Sequence, residues 1–225
     1  MEKHTLPINE YTATILNTRN RMNCPIIYTH LSCDTVEAIA NLLIGLDIVL
    51  IGLEGMDWDR DMTPWAAKRA FRGGNDFSGG ADAYLNDLTK KIIPTVESTL
   101  RITPASRMLL GYSLAGLFSL YALYRTELFS CAASISGSLW YDGFLDFLKD
   151  NRPMQPPRRV YFSLGALECV TKNPRLSTVE ACTLEAEQIL QSYGVKTIFE
   201  KNPGNHFAEV PERIAKAIRW LCAEE

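Results

Sequence analysis

A serine hydroxyl becomes a nucleophile when a neighbouring base takes its proton, and Ser113, His206 and Glu168 are the residues of this chain whose types and placement suit such a relay. Ser113 lies in Gly111-Tyr112-Ser113-Leu114-Ala115. The apolar run Met108, Leu109, Leu110 before it reads as a buried strand. Leu114, Leu117, Phe118 and Tyr121 after it recur at the spacing of one helix face. The serine therefore falls on a strand-to-helix turn, and small residues two places to either side let strand and helix cross closely beneath it, the steric logic of a nucleophile elbow. The following helix aims its first N–H groups and partial positive charge at the place where an oxyanion would develop.

The base comes from three histidines, His4, His30 and His206. His4 belongs to the terminal segment ahead of the first expected strand, and His30 to an early strand. His206 stands in Gly204-Asn205-His206-Phe207, a loop between the last expected strand and the last expected helix, downstream of the serine as the order Ser, acid, His requires. A carboxylate should fix the imidazole tautomer. Glu168, a few residues past the expected strand 159–165, is the first choice; Asp142 is the rival, and a serine–histidine pair without an acid is the third arrangement. For the oxyanion hole the expected N–H donors are Leu114 and, from the chain after the strand at 47–51, Leu53, with Gly52 or Glu54 next.

The elements that must position these groups alternate along the chain. Residues 11–18, 25–31, 47–53, 107–112, 130–136, 159–165 and 196–200 read as strands, and those at 17–23 supply a turn. Helical spacing follows 34, 81, 113, 142 and 177 and returns in Ile214, Ala217, Ile218 and Leu221, with capping boxes expected at Asp34/Glu37 and Ser177/Glu180 and a kink or new turn at Pro94. Such alternation predicts an α/β fold with a mostly parallel sheet covered on both faces. Residues 52–80, rich in Gly, Asp, Arg, Trp and Pro, form a long loop leaving a strand end, where open α/β sheets bind ligands.

With 225 residues, 47% of them hydrophobic, the chain suits a single domain over 1–225. The net charge of -3, with signs interspersed, speaks against nucleic acid or an anionic membrane as partner. Without a long apolar run or leader-like start, the expectation is a soluble cytoplasmic protein. Six cysteines are scattered without a Cys-x-x-Cys pair and read as buried thiols, so neither metal nor cofactor is expected.

Several stretches in order resemble one family. They are Arg60-Asp61-Met62-Thr63-Pro64, Gly79-Gly80-Ala81-Asp82-Ala83, Gly111 to Phe118, Ser136-Gly137-Ser138-Leu139-Trp140-Tyr141 and Gly204-Asn205-His206-Phe207. Over roughly residues 47–222 the chain is similar to the putative-esterase family of α/β-hydrolases, which includes siderophore esterases, S-formylglutathione hydrolases and feruloyl esterases. The resemblance implies an α/β-hydrolase fold without a separate lid domain, Ser113 as nucleophile and His206 as base, with Arg60, Asp61 and Trp140 near the substrate. It implies a serine carboxylic-ester hydrolase acting on a small or medium-sized ester through an acyl-enzyme. A siderophore trilactone esterase and an acyltransferase are alternatives within the fold, and a hydrolase-fold binding protein without turnover is one outside it. Two departures stand out: Ala115 replaces the commoner glycine, and the N-terminal region is short, so no separate substrate-recruiting domain is expected. For a trianionic siderophore, Arg60, Lys68, Arg69 and Arg72 in the long loop are the only candidate cations. A homo-oligomer is left open.

Overall fold

One eight-stranded sheet carries the chain, in the spatial order β1-β2-β4-β3-β7-β8-β9-β10. The structure, a computed structural model, describes residues 2–17, 24–70 and 73–223. Of the turn expected over 17–23, Asn17 ends β2 and residues 18–23 lie outside the described residues, as does Arg72. The strands are β1 (Glu2–Ile8), β2 (Tyr11–Asn17), β3 (Ile26–Thr29), β4 (Val49–Glu54), β7 (Arg107–Tyr112), β8 (Cys131–Ile135), β9 (Arg159–Gly165) and β10 (Lys196–Asn202), while β5 (Ala66–Ala67) and β6 (Phe77–Ser78) form a separate small ribbon. β1–β2 and β2–β4 pair antiparallel; every other ladder in the large sheet is parallel. The expected α/β-hydrolase architecture is what the chain adopts. One strand of this sheet escaped the sequence: residues 2–8, read as a terminal segment holding His4, pair along their full length with β2, while the β5–β6 ribbon lies within the stretch read as a loop.

Helices cover both faces. α3 (Ala81–Asp87), α4 (Ile93–Leu100), α5 (Leu114–Leu123), α6 (Phe144–Asp150) and α7 (Val179–Ser192) close one apolar core. α1 (Cys33–Ala40) and α8 (Val210–Cys222) close the other. Because both faces are covered, the central strands are mostly apolar, and β8 and β9 are buried at every residue. α5 goes further than its predicted single face: all ten of its residues are buried, as expected for a helix that is apolar all round.

Local chemistry differs from expectation at three helix starts. Ser32, not Asp34, caps α1, its Oγ accepting from the Thr35 N–H. Ser177 caps nothing, because a short 3₁₀ turn over Leu176–Thr178 precedes α7; its hydroxyl donates to the Pro174 carbonyl, and Glu180 pairs with Lys201 at 2.7 Å. Before Pro94 the chain widens into a π turn, Leu88–Ile92, which accommodates a residue with no N–H to donate and joins α3 to α4 without a break. Of the cysteines, Cys24 and Cys131 are buried as expected, whereas Cys33, Cys169, Cys182 and Cys222 are half-buried.

The described residues of the long loop, 55–70 and 73–80, are ordered by a short helix, α2 (Trp58–Asp61), and by bonds to the rest of the chain. Trp65 Nε1 donates to the Asp142 carbonyl at 2.9 Å, Tyr141 Oη donates to the Trp65 carbonyl at 2.6 Å, and Asn173 Nδ2 donates to the Ala70 carbonyl at 2.6 Å.

The tightest point of the fold is where β7 meets α5. A β-carbon on Gly111 would stand 1.8 Å from the Ala115 carbonyl oxygen, so this position tolerates only glycine. Gly111→Ala should therefore lose about 2–4 kcal/mol of stability, read as a lower urea midpoint.

Candidate active site

Ser113 occupies the turn between β7 and α5 with φ 60° and ψ -124°, a left-handed region that non-glycine residues rarely occupy. The surroundings fix it there. Its N–H donates to the Ile135 carbonyl at 3.0 Å, and its own carbonyl accepts from Gly116, Leu117 and Ser138. Leu114 opens α5, so no helical carbonyl lies four residues behind its N–H.

Glu168 and His206 come from the loops after β9 and β10, which are knitted together. The Ala166 N–H donates to the Asn202 carbonyl at 2.7 Å and the Leu167 N–H to the Gly204 carbonyl at 3.0 Å. The approach is close enough that a β-carbon on Gly165 would stand 2.7 Å from the carbonyls of Gly204 and Asn205. As a result His206 Nδ1 and Glu168 Oε2 are 2.7 Å apart, the geometry that assigns the ring proton to Nδ1 and leaves Nε2 free to accept. The other carboxylate oxygen, Oε1, accepts from Ser136 Oγ at 2.5 Å, the Gly165 N–H at 2.5 Å and Arg213 Nη2 at 3.2 Å. The Glu168 side chain is only 5% exposed. Burial alone would raise its pKa, but the bonds from His206, Ser136 and Gly165 outweigh burial and hold it below the ordinary glutamate value.

A cavity of about 400 Å³ brings Ser113, Glu168 and His206 together, and Ser136, Ser138, Trp140, Leu176, Val179 and Phe207 complete its lining. Of the residues expected near a substrate, Trp140 is in this wall, with the Arg175 guanidinium 5.1 Å from its ring centre. Arg60 and Asp61 are outside it. They pair with each other in a two-pronged contact (2.7 and 3.0 Å), and Asp61 also accepts from the Asp57 N–H, so both hold the loop around α2. Asp142, the rival acid, is half-exposed and pairs with Arg175 Nε at 3.1 Å.

Leu53 requires correction. It lies inside β4, paired with Ala13, and the same strand contains Gly52 and Glu54. Because β3 sits between β4 and β7, it is the segment after β3 that flanks the elbow. Sequence reasoning also passed over Ser136, Leu176, Val179, Phe207 and Arg213 as site residues; of these Ser136 and Phe207 lay in stretches singled out beforehand.

The sequence pattern of the Putative esterase family matches residues 36–206. The chain is similar to "Uncharacterized protein YbbA" of Bacillus subtilis, 30% identical over 183 residues, which is 78% of this chain and 73% of that protein. Among solved structures it is similar to an IroE-like serine hydrolase from Shewanella oneidensis, with a TM-score of 0.83 at 19% identity over 100% of this chain and 82% of the other. Siderophore hydrolase EstA from Aspergillus nidulans is similar with a TM-score of 0.77 at 16% identity, over 98% and 93%.

The lowered pKa of Glu168 has a signed consequence. The ionised carboxylate stabilises the fold above the ordinary glutamate range, and this contribution is lost as pH falls through the depressed folded value. Glu168→Gln should unfold about 1–3 kcal/mol more easily than wild type at pH 7 in urea. The gap should close as the pH is taken below the ordinary glutamate value of 4.5.

Proposed function

This chain belongs to the Putative esterase family and is an ester hydrolase, and on that premise we propose that Ser113, His206 and Glu168 are its catalytic relay. The observation that carries the proposal is the 2.7 Å contact between His206 Nδ1 and Glu168 Oε2 at the edge of a cavity that also holds Ser113. His206 Nε2 takes the Ser113 proton as Oγ attacks the acyl carbon. The tetrahedral intermediate collapses, the C–O bond to the alcohol breaks, and His206 returns the proton to the departing alkoxide. Water, deprotonated by the same imidazole, then hydrolyses the acyl-enzyme. Glu168 keeps the imidazole in the required tautomer and stabilises the imidazolium. The Leu114 N–H is one oxyanion donor, and the second is assigned to the segment between β3 and α1, around Leu31.

The wall of Trp140, Leu176, Val179 and Phe207 favours an uncharged ester of small or medium size. Solved neighbours described as siderophore hydrolases raise a trianionic substrate as a second reading. Against it, the described cations of the long loop are engaged: Arg60 with Asp61, Lys68 with Asp76 at 2.8 Å, and Arg69 Nη1 with the Gly74 carbonyl at 2.9 Å. An acyltransferase would use the same acyl-enzyme with an alcohol in place of water.

Hydrolysis of p-nitrophenyl butyrate should disappear in Ser113→Ala and His206→Ala. In Glu168→Gln it should fall about 10²- to 10⁴-fold in kcat, and in Asp142→Ala it should stay near wild type. A fluorophosphonate should label Ser113 in the wild type. Full activity without Ser113 would overturn the proposal, and a wild type that neither hydrolyses the ester nor takes the label would favour a binding protein.

Substrate charge is tested separately. Mono-p-nitrophenyl succinate should show a kcat/KM about tenfold or more below that of the butyrate, because its carboxylate must be desolvated against apolar walls.

A further inference from the structure

Arg213 lies on α8, the helix that packs against β8 and β9 on the face opposite α5, and it is 0% exposed. An arginine keeps its charge at any working pH and is withdrawn from water only against partners. Here the partners converge on one residue from two directions. Nη2 donates to Glu168 Oε1 at 3.2 Å and to Ser136 Oγ, while Nη1 donates to Tyr112 Oη at 3.3 Å. Tyr112 Oη in turn donates to the backbone carbonyl of His206, and its ring lies 5.3 Å from the imidazole. The planar guanidinium therefore touches both supports of His206, the carboxylate that holds its ring nitrogen and the phenol that holds its main chain.

We infer that Arg213 is a positioning residue for ester hydrolysis, holding the His206 imidazole through Glu168 on one side and Tyr112 on the other. The inference rests on His206 being the base. A lysine ammonium would supply the charge but not the fork that reaches both partners at once. The charge has its own effect. A buried carboxylate with His206 as its sole charged neighbour would stabilise the imidazolium strongly and raise the pH below which the base is already protonated. Arg213 shares that negative charge, and its removal would leave the carboxylate to His206 alone.

The other titratable groups around Arg213 are Tyr161 on β9 and Glu200 on β10, bonded to each other at 2.5 Å. Lys216 on α8 binds Glu200 at 2.7 Å, and Tyr112 stands on β7. Burial holds Tyr112 and Tyr161 above the ordinary tyrosine range, and the bonds from Lys216 and Tyr161 hold Glu200 below the ordinary glutamate range against its burial, so none of them titrates with the imidazole and a shift in the pH profile reports on the Glu168–His206 pair.

The test is the pH dependence of p-nitrophenyl butyrate hydrolysis by Arg213→Met, Arg213→Lys and Tyr112→Phe, with near-ultraviolet circular dichroism to confirm folding. Arg213→Met should lose about 10- to 100-fold in kcat with KM little changed, as a misplaced imidazole would. The acid limb of its kcat/KM profile should move up by about one pH unit. Arg213→Lys should restore the limb to its wild-type position while kcat stays low, and Tyr112→Phe should lower kcat without moving the limb. A folded Arg213→Met with an unmoved limb, whether or not kcat falls, would overturn the inference and leave Arg213 a structural residue. If Arg213→Met does not fold, wild-type kcat in both Arg213→Lys and Tyr112→Phe would overturn it. Activity surviving in Ser113→Ala would instead remove the hydrolase relay itself, so the two failures are distinguishable.

Discussion

The site depends on Ser113 being held in a backbone conformation that a serine does not choose. A left-handed φ at a non-glycine residue costs on the order of 1–3 kcal/mol and persists only where the surroundings over-determine it. Here they do so by contact: Gly111 lies against the Ala115 carbonyl, and the Ser113 N–H and C=O are both taken, by Ile135 on one side and Gly116, Leu117 and Ser138 on the other. Burial of α5 on every side removes the freedom by which this helix could relax away from β7. The strain is thus borne by the core of the domain, and the hydroxyl is presented at the sheet edge at a helix N-terminus.

The remaining groups reach the serine because a parallel sheet delivers its strand ends to one edge. β7, β8, β9 and β10 are consecutive neighbours, so Ser113, Ser136, Glu168 and His206, each just beyond the end of its strand, stand in a row. Contacts along that row turn proximity into alignment. Glu168 Oε1 gathers a hydroxyl, a main-chain N–H and a guanidinium, which leaves Oε2 for the imidazole. A carboxylate so saturated has little latitude to rotate, and the ring it holds inherits that rigidity.

Much of this row was legible in the sequence because it follows from periodicity. An apolar strand, a small-residue turn and a helix face locate Ser113, and the loops after the next expected strands locate Glu168 and His206. Spatial order was not legible. Leu53 was read as an oxyanion donor because the strand of 49–54 precedes the long loop, yet β3 inserts between that strand and the elbow, a swap of neighbours that local patterning does not encode. Residues 2–8 were missed as a strand because an edge strand with an exposed face lacks the apolar signature that marked the central ones. Arg60 and Asp61 are placed near a substrate by the family resemblance, but adjacent residues of opposite charge can satisfy each other, and these do. Arg213 was invisible for the opposite reason. A charged residue on a helix is read as solvated, and only its place on the stripe of Ile214, Ala217, Ile218 and Leu221 hints that it points inward.

That inward charge completes the electrostatic logic of the relay. In the proposed relay, Glu168 and Arg213 make a buried ionic pair of zero net charge while the imidazole is neutral, and transfer of the serine proton to it would add one positive charge beside the oxyanion at Ser113. The low dielectric that makes an unpaired buried carboxylate costly also strengthens its interaction with the imidazolium. Removing either ion would leave the other uncompensated, which is more disruptive than never having buried the pair. The two ions come from opposite parts of the fold, Glu168 from the loop after β9 and Arg213 from α8 across the sheet, so the charge balance of the site is secured only when that helix is packed in place. The chemistry at the sheet edge is therefore coupled to the second apolar core, the one formed by α1, α8 and the far face of the strands.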